Sequence, residues 1–266
     1  MNALRAAIVH GARRTPRRGD GVRSARSGDG YEFAQLRGYV EGDDPRRIDW
    51  AASARTGALQ TRVYLEETAL VLAAFVDESA SMRVGRTRRL SDAADDALAA
   101  WYGAAEQDDR PVRIVDDRIV GGDRRAALHV RAKAPFSLAR SFELAANVLP
   151  RGASLLAITD GYDVPEDDDG GVLVRIAARC DATVLLARDP WHDGMPLRGF
   201  ARMRDAESGR TRLVYVGRRA RERYAAAVAE RERSLHARFA RAGWRIGWLD
   251  EGDGARSLAR AFGVER

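Results

Sequence analysis

Apolar runs and amphipathic stretches alternate along most of this chain, and their spacing predicts its elements. Residues 69–76 (Ala-Leu-Val-Leu-Ala-Ala-Phe-Val) are apolar at every position, as a strand covered on both faces requires. Residues 155–158 and 183–187 repeat the pattern, and residues 244–249 supply a last strand. Shorter strands at 112–115 and 118–120 flank an Asp116-Asp117 turn. Helical segments lie between the strands: 93–102 with Ser91 as its cap, 138–148 capped by Ser137 and ended by Pro150 and Gly152, then 171–180 and 254–262. The longest, 218–241, carries Tyr224, Val228, Leu235 and Phe239 at near-helical spacing, with Arg and Glu interleaved on its other face. Strands separated by helices call for an α/β fold with a mostly parallel central sheet flanked by helices. Ligands of such sheets sit beyond the carboxyl ends of the strands.

Outside that alternation the chain reads differently. Residues 1–30 hold seven Arg against two Asp, with Gly at 11, 19, 21, 28 and 30, and read as an irregular basic arm. Residues 31–68 are dense in turn chemistry, although residues 59–65 alternate as a half-buried strand does. Pro45 lacks a donor and holds Asp44 extended, so this part is neither a regular strand nor a long helix. Residues 197–217 read as an inserted β-hairpin that turns at Glu207-Ser208-Gly209. The expected division is therefore an N-terminal extension over 1–68 and an α/β domain over 69–266.

Composition narrows the function classes. A single cysteine, Cys180, cannot form an internal disulfide, and it sits in an apolar stretch as a small hydrophobe. The first residues lack the apolar region of a signal peptide, and no window approaches 18 unbroken apolar residues. The expectation is a cytoplasmic protein with no membrane insertion. Basic residues exceed acidic ones by 45 to 39, almost all of them Arg, with Lys133 the single lysine. This reads first as a solvated, Arg-rich surface. Nucleic-acid binding by the basic arm and the Arg-rich helix is an alternative, but interleaved Glu residues interrupt any stripe that would track phosphates.

The candidate chemistry lies at two strand ends. One gives Val76-Asp77-Glu78-Ser79-Ala80-Ser81-Met82, the other Ile158-Thr159-Asp160-Gly161. An Asp-x-Ser-x-Ser turn puts a carboxylate and two hydroxyls on one side of a loop. Those are hard oxygen donors, suited to Mg²⁺, Mn²⁺ or Ca²⁺ and wrong for a soft metal. Asp160 could complete the ring through water. Such a cation is under-neutralised and would attract a further anion, with Glu78 beside it at the partner surface. The bland alternative is that these Asp and Ser residues only cap helices and close turns.

The Asp77-x-Ser79-x-Ser81-Met82 and Thr159-Asp160-Gly161 pair resembles the metal-ion-dependent adhesion site of von Willebrand factor A-type domains. The preceding Gly42-Asp43-Asp44-Pro45-Arg46-Arg47-Ile48-Asp49-Trp50 block, with Tyr31 to Arg37 before it and Ser53-Ala54-Arg55-Thr56-Gly57 after it, resembles the signature of the bacterial DUF58 family. Asp189-Pro190 and the Asp205–Gly209 turn fit the same family. The resemblance implies a Rossmann-like A-type domain with a metal site at its top. It also implies a MoxR-type AAA+ ATPase as partner, together with a client protein to be assembled, activated or remodelled. One ligand departs from the pattern. A-type sites take a Thr hydroxyl from a loop between the two Asp motifs, and no Thr lies between Thr87 and Thr159. Ser137, at a helix start, is the best substitute.

Two further choices stay open at this level. The Gly42–Trp50 block is either a docking knob using Asp43, Asp44, Arg46, Arg47 and Trp50, or an internal clasp with Trp50 buried and its charges paired; the clasp is the simpler reading. The strand-end carboxylates could hold Mg²⁺ for phosphoryl or hydrolytic chemistry. No Gly-x-x-x-x-Gly-Lys loop, Gly-x-Ser-x-Gly elbow or His-rich motif accompanies them, so a non-enzymatic binding module is the expectation.

Overall fold

The structure is a computed structural model that describes residues 3–14, 27–65, 69–132, 137–165 and 171–264. The chain divides into two compact units, Arg17–Ala69, and Met1–Pro16 together with Leu70–Arg266.

The N-terminal stretch corrects the expectation of an irregular arm. Ala3–Arg14 is a helix, α1. Leu4 and Ile8, one turn apart, are buried in the core of the large unit. Gly11 continues that face: a Cβ there would lie 1.9 Å from Asp181 Oδ2, so only glycine permits the approach. Arg5 holds the helix from the side, donating to the Ala104 carbonyl at 3.2 Å and pairing with Glu106 and Asp109.

The small unit is built on β1 (Ser27–Gly38) and β2 (Gln60–Leu65), paired antiparallel. Much of β1 was read as irregular chain, because period-2 patterning is hidden there by Gly28 and Gly30. Between the strands a 3-10 turn (Pro45–Arg47) precedes α2 (Trp50–Thr56). Asp44 caps the turn by accepting from the Arg46 amide, and Asp49 caps α2 by accepting from the Ala52 amide. Asp43 receives both Arg37 guanidinium nitrogens, at 2.6 and 2.7 Å, and the Val40 amide. Arg62 reaches Asp49 at 3.0 Å. The charges are paired as a clasp requires, but Trp50 is not buried: at the first position of α2 it is 69% exposed. The first helical position places the side chain at the rim of its helix, outside this unit's small core.

The large unit contains β3 (Val71–Val76), α3 (Leu90–Gly103), β4 (Arg110–Val115), β5 (Arg118–Gly121), α4 (Arg124–His129), α5 (Leu138–Val148), β6 (Ser154–Thr159), α6 (Val172–Ala177), β7 (Asp181–Ala187), β8 (Gly199–Arg204), β9 (Thr211–Val216), α7 (Arg218–Arg241), β10 (Arg245–Leu249) and α8 (Gly254–Ala261). Six strands form the central sheet in the order β10-β7-β6-β3-β4-β5, parallel except for the β4–β5 hairpin. Alternate residues of the central strands serve opposite faces. Leu72, Ala74, Leu156 and Ile158 pack with α1, α3 and α8; Ala73, Phe75, Leu155 and Ala157 pack with α5, α6 and α7. Phe142 anchors the second face, with ring centroids 4.8 Å from Phe75 and 6.1 Å from Trp244.

Some local expectations shift. Ser91 does not cap α3; the helix starts at Leu90 behind Arg89, because the earlier start buries Leu90. The short α4 has no apolar period in sequence and went unpredicted. Cys180 is buried, and burial pushes its thiol up to about 12, which suits an inert hydrophobe. Among the described residues no helix is long and apolar enough to cross a membrane.

Candidate functional site

Strands β3 and β6 are neighbours at the point where strand order reverses: the chain leaves β3 toward β4 and later returns on the other side through β6. The loops after two such strands diverge and leave a crevice. Both predicted strand-end motifs open into it. The crevice is a cleft of about 1240 Å³ lined by Asp77, Ser79, Ser81 and Asp160, and also by Asp189 and Glu207.

Asp77 continues the ladder, its amide donating to the Ile158 carbonyl at 2.8 Å, and it is 2% exposed. One carboxylate oxygen accepts the Ser79 amide at 3.0 Å; the other accepts the buried Thr159 hydroxyl at 2.8 Å. The Ser79 and Ser81 hydroxyls lie 2.9 Å apart. Asp160 accepts the Tyr162 amide at 3.0 Å, and its loop is tightened by the Gly161 amide donating to Thr159 Oγ1 at 2.8 Å. Gly161 has φ 79°, and a Cβ on it would come within 2.6 Å of Leu235, so this position needs glycine on both counts. Arg231 of α7 secures the loop by donating to the Asp160 carbonyl at 2.6 Å and lying 3.1 Å over the Tyr162 ring.

The electrostatics of this corner are unusual. Burial pushes the Asp77 carboxyl up, Asp160 adds to the push, and the hydrogen bonds from Ser79 and Thr159 only partly oppose it, leaving it above its ordinary value. Among the described residues neither Asp77 nor Asp160 forms an ion pair through its carboxylate. No cluster of three or more His, Cys, Asp or Glu occurs among them either. The donor set is two carboxylates and two hydroxyls, all oxygen, in a cleft that Arg83, Arg188, Arg204, Arg210, Arg212 and Arg231 also line. It fits a hard divalent cation and does not fit zinc.

The other expected residues have diverse fates. Glu78 lines the cleft but is engaged within the chain: one oxygen pairs with Arg113 at 3.1 Å and the other accepts the Ala132 amide at 2.8 Å. Arg113 is 1% exposed, and its Nε and Nη1 make no hydrogen bond, so Glu78 neutralises a buried cation in the core. Ser137 stands at the N-cap of α5 with no bond from its hydroxyl to the helix. It is absent from the cleft lining; residues 133–136 lie outside the described residues. Asp43, Asp44, Arg46, Arg47 and Trp50 belong to the small unit.

Sequence reasoning missed three contributors. Thr159 had been read as part of a motif, without its bond to Asp77. Asp189 accepts from the Tyr224 hydroxyl at 2.5 Å and the Trp191 amide at 2.8 Å, and its Asp-Pro pair was the available signal. Glu207, at the tip of the β8–β9 hairpin, accepts the Ser81 amide at 2.9 Å. That contact spans 126 residues, and nothing local to the turn announces it.

An α/β domain with a mostly parallel sheet and a cleft at its switch point is the class that this fold defines. The chain belongs to the family described as "Protein of unknown function DUF58", whose model matches residues 35–234. The match begins in β1 and ends within α7, so it takes in the turn block, both strand ends and the hairpin. Two solved structures are similar at a lower level. An aerotolerance-related membrane protein from Bacteroides fragilis shares 14% identity, with 72% of this chain and 96% of that chain covered and a TM-score of 0.43. BatB from Bacteroides thetaiotaomicron, a conserved hypothetical protein, shares 15% identity over 72% of this chain and 98% of that one, with a TM-score of 0.39. No curated protein matches the chain.

Proposed function

We infer that this protein is a non-enzymatic, metal-ion-dependent protein-binding module. Asp77, Ser79 and Ser81 hold a divalent cation (Mg²⁺, with Mn²⁺ or Ca²⁺ as alternatives), Asp160 supports it through water, and the open position receives an acidic group of another protein. The observation that carries this reading is that Asp77, Asp160 and the Ser79–Ser81 hydroxyl pair line one crevice, with no ion pair to either carboxylate among the described residues. Two buried like charges without a base are costly, and a bound cation removes that cost. When bound, the ion supplies charge attraction and a vacant coordination position. The chain's residues set its place and keep its neighbours oriented.

The partner in this reading is a MoxR-type AAA+ ATPase with its client, acting in the cytoplasm, and the module contributes recognition while the ATPase contributes work. Nucleic acid is the less favoured partner, because Glu residues interrupt the basic face of α7 and pair with two of its Arg, as Arg218–Glu222 and Arg233–Glu230.

Titration calorimetry with MgCl₂ and MnCl₂ tests the site. Wild type should bind either ion and Asp77→Ala should not; equal heats from the two proteins overturn the reading. Capture of the ATPase on the immobilised wild-type chain should be lost in EDTA and in Asp77→Ala.

A further inference from the structure

The hairpin over the cleft presents an acid to the same loop that carries the two hydroxyls. Glu207 Oε1 accepts the Ser81 amide at 2.9 Å. The Ser81 hydroxyl, on that same residue, lies 2.9 Å from the Ser79 hydroxyl. Two other acids along the cleft are engaged elsewhere: Glu78 by Arg113 and Ala132, Asp189 by Tyr224 and Trp191. Glu207 is therefore a carboxylate delivered from a separate element to the loop that carries both hydroxyls.

The tip is built to hold this acid in place. Asp205 Oδ1 accepts both the amide and the hydroxyl of Ser208 at 2.6 Å. The Asp205 amide donates to the Arg210 carbonyl at 2.9 Å, and the Gly209 amide returns to the Asp205 carbonyl at 3.0 Å. The arm that carries the tip is lightly anchored. β8 and β9 pair only with each other, and β9 is exposed from Thr211 to Tyr215. A two-stranded ribbon standing alone is marginal, so a stiff tip rides on an arm that can lift.

We propose that Glu207 is an internal stand-in for the partner's acidic group: the hairpin latches the cleft by placing its own carboxylate at the cation site, and a partner must displace it. This rests on the metal-dependent reading above and names its regulation. A tethered carboxylate competes at an effective concentration on the order of millimolar. Isolated weak acids are thereby excluded, and only a partner with additional contacts opens the latch.

The test uses the full chain and Mn²⁺ as probe. Wild type, Glu207→Gln and Asp77→Ala are titrated with Mn²⁺ while water-proton relaxation is recorded, and hydrogen exchange is followed over residues 199–216 with and without the ion. In wild type, Mn²⁺ should slow exchange in the hairpin. In Glu207→Gln that protection should vanish, Mn²⁺ affinity should fall by about tenfold, and relaxation per bound ion should rise as water fills the vacated position. Acetate should then suppress that relaxation at about tenfold lower concentration than in wild type. If wild type and Glu207→Gln bind Mn²⁺ alike, with equal relaxation and unchanged hairpin exchange, the latch is refuted and the metal site stands. If wild type binds Mn²⁺ no better than Asp77→Ala, both fall. The exposed tip makes misfolding a poor explanation for a change, and matching melting temperatures of wild type and Glu207→Gln would confirm that.

Discussion

In the block from Gly42 to Trp50 each aspartate has found a donor, whereas at the ends of β3 and β6 two aspartates are buried without a base. The Arg37 guanidinium, then the Val40 amide, hold the Asp43 carboxyl below its ordinary value. The Ala52 amide, then Arg62, do the same for Asp49. Asp77 moves the other way, pushed up by burial and by Asp160. Similar residue types in turn-rich sequence thus do opposite things. An acid already matched to a guanidinium or amide closes a loop and has nothing further to offer. A buried acid left beside another acid is a place where a cation is wanted.

The comparison can be pressed hardest at Asp109, a matched, partly buried acid of the large unit. Burial alone would push it up, but Arg5 and the amides of Glu106 and Leu70 outweigh that and hold it low. It ties α1 to the start of β3, so Asp109→Ala should cost about 1–3 kcal/mol, the range for orphaned buried donors, measured by urea denaturation. Asp77→Asn should show the opposite sign. Removing an unmatched buried charge should leave the metal-free protein as stable or more stable by about 1 kcal/mol, while Mn²⁺ affinity drops on the order of 100-fold. A clear loss of melting temperature in metal-free Asp77→Asn would return that residue to the structural class.

A weaker effect concerns acid. Asp43 and Asp49 have folded values below their unfolded ones. Their contribution is complete above the ordinary carboxylate range and is lost as pH falls through the lowered values. Protection of residues 36–62 from hydrogen exchange, relative to the intrinsic rate at each pH, should therefore fall below about pH 4, and at neutral pH should not respond to EDTA. The smallest expected change is at Trp50, where Trp50→Ala should alter stability by no more than about 0.5 kcal/mol; a larger loss would restore the buried-indole clasp.

The sheet was legible because its strands are unbroken apolar runs and its longest helix keeps an apolar face; α7 matches residues 218–241 end to end. The strand-end motifs were legible too, since the polar residues follow directly on such runs. What escaped was of two kinds. Helix α1 was hidden because the Arg- and Gly-rich residues that follow it dominate the composition of the first thirty, although Leu4, Ile8 and Gly11 share a face. Trp50 was misjudged because aromatic character alone does not say whether the local unit has a core large enough to receive it.

The chain by itself determined a parallel α/β sheet, its helices and an oxygen-rich pair of strand ends, because periodicity and turn chemistry act over a few residues. Only the tertiary structure decided which acids are matched. Glu78 turned to a buried Arg113, Asp77 met Thr159, and Glu207 arrived at Ser81 from 126 residues away. A carboxylate's state depends on what lies within a few ångströms of it, and that neighbourhood is set by strand order, which no local stretch of sequence contains.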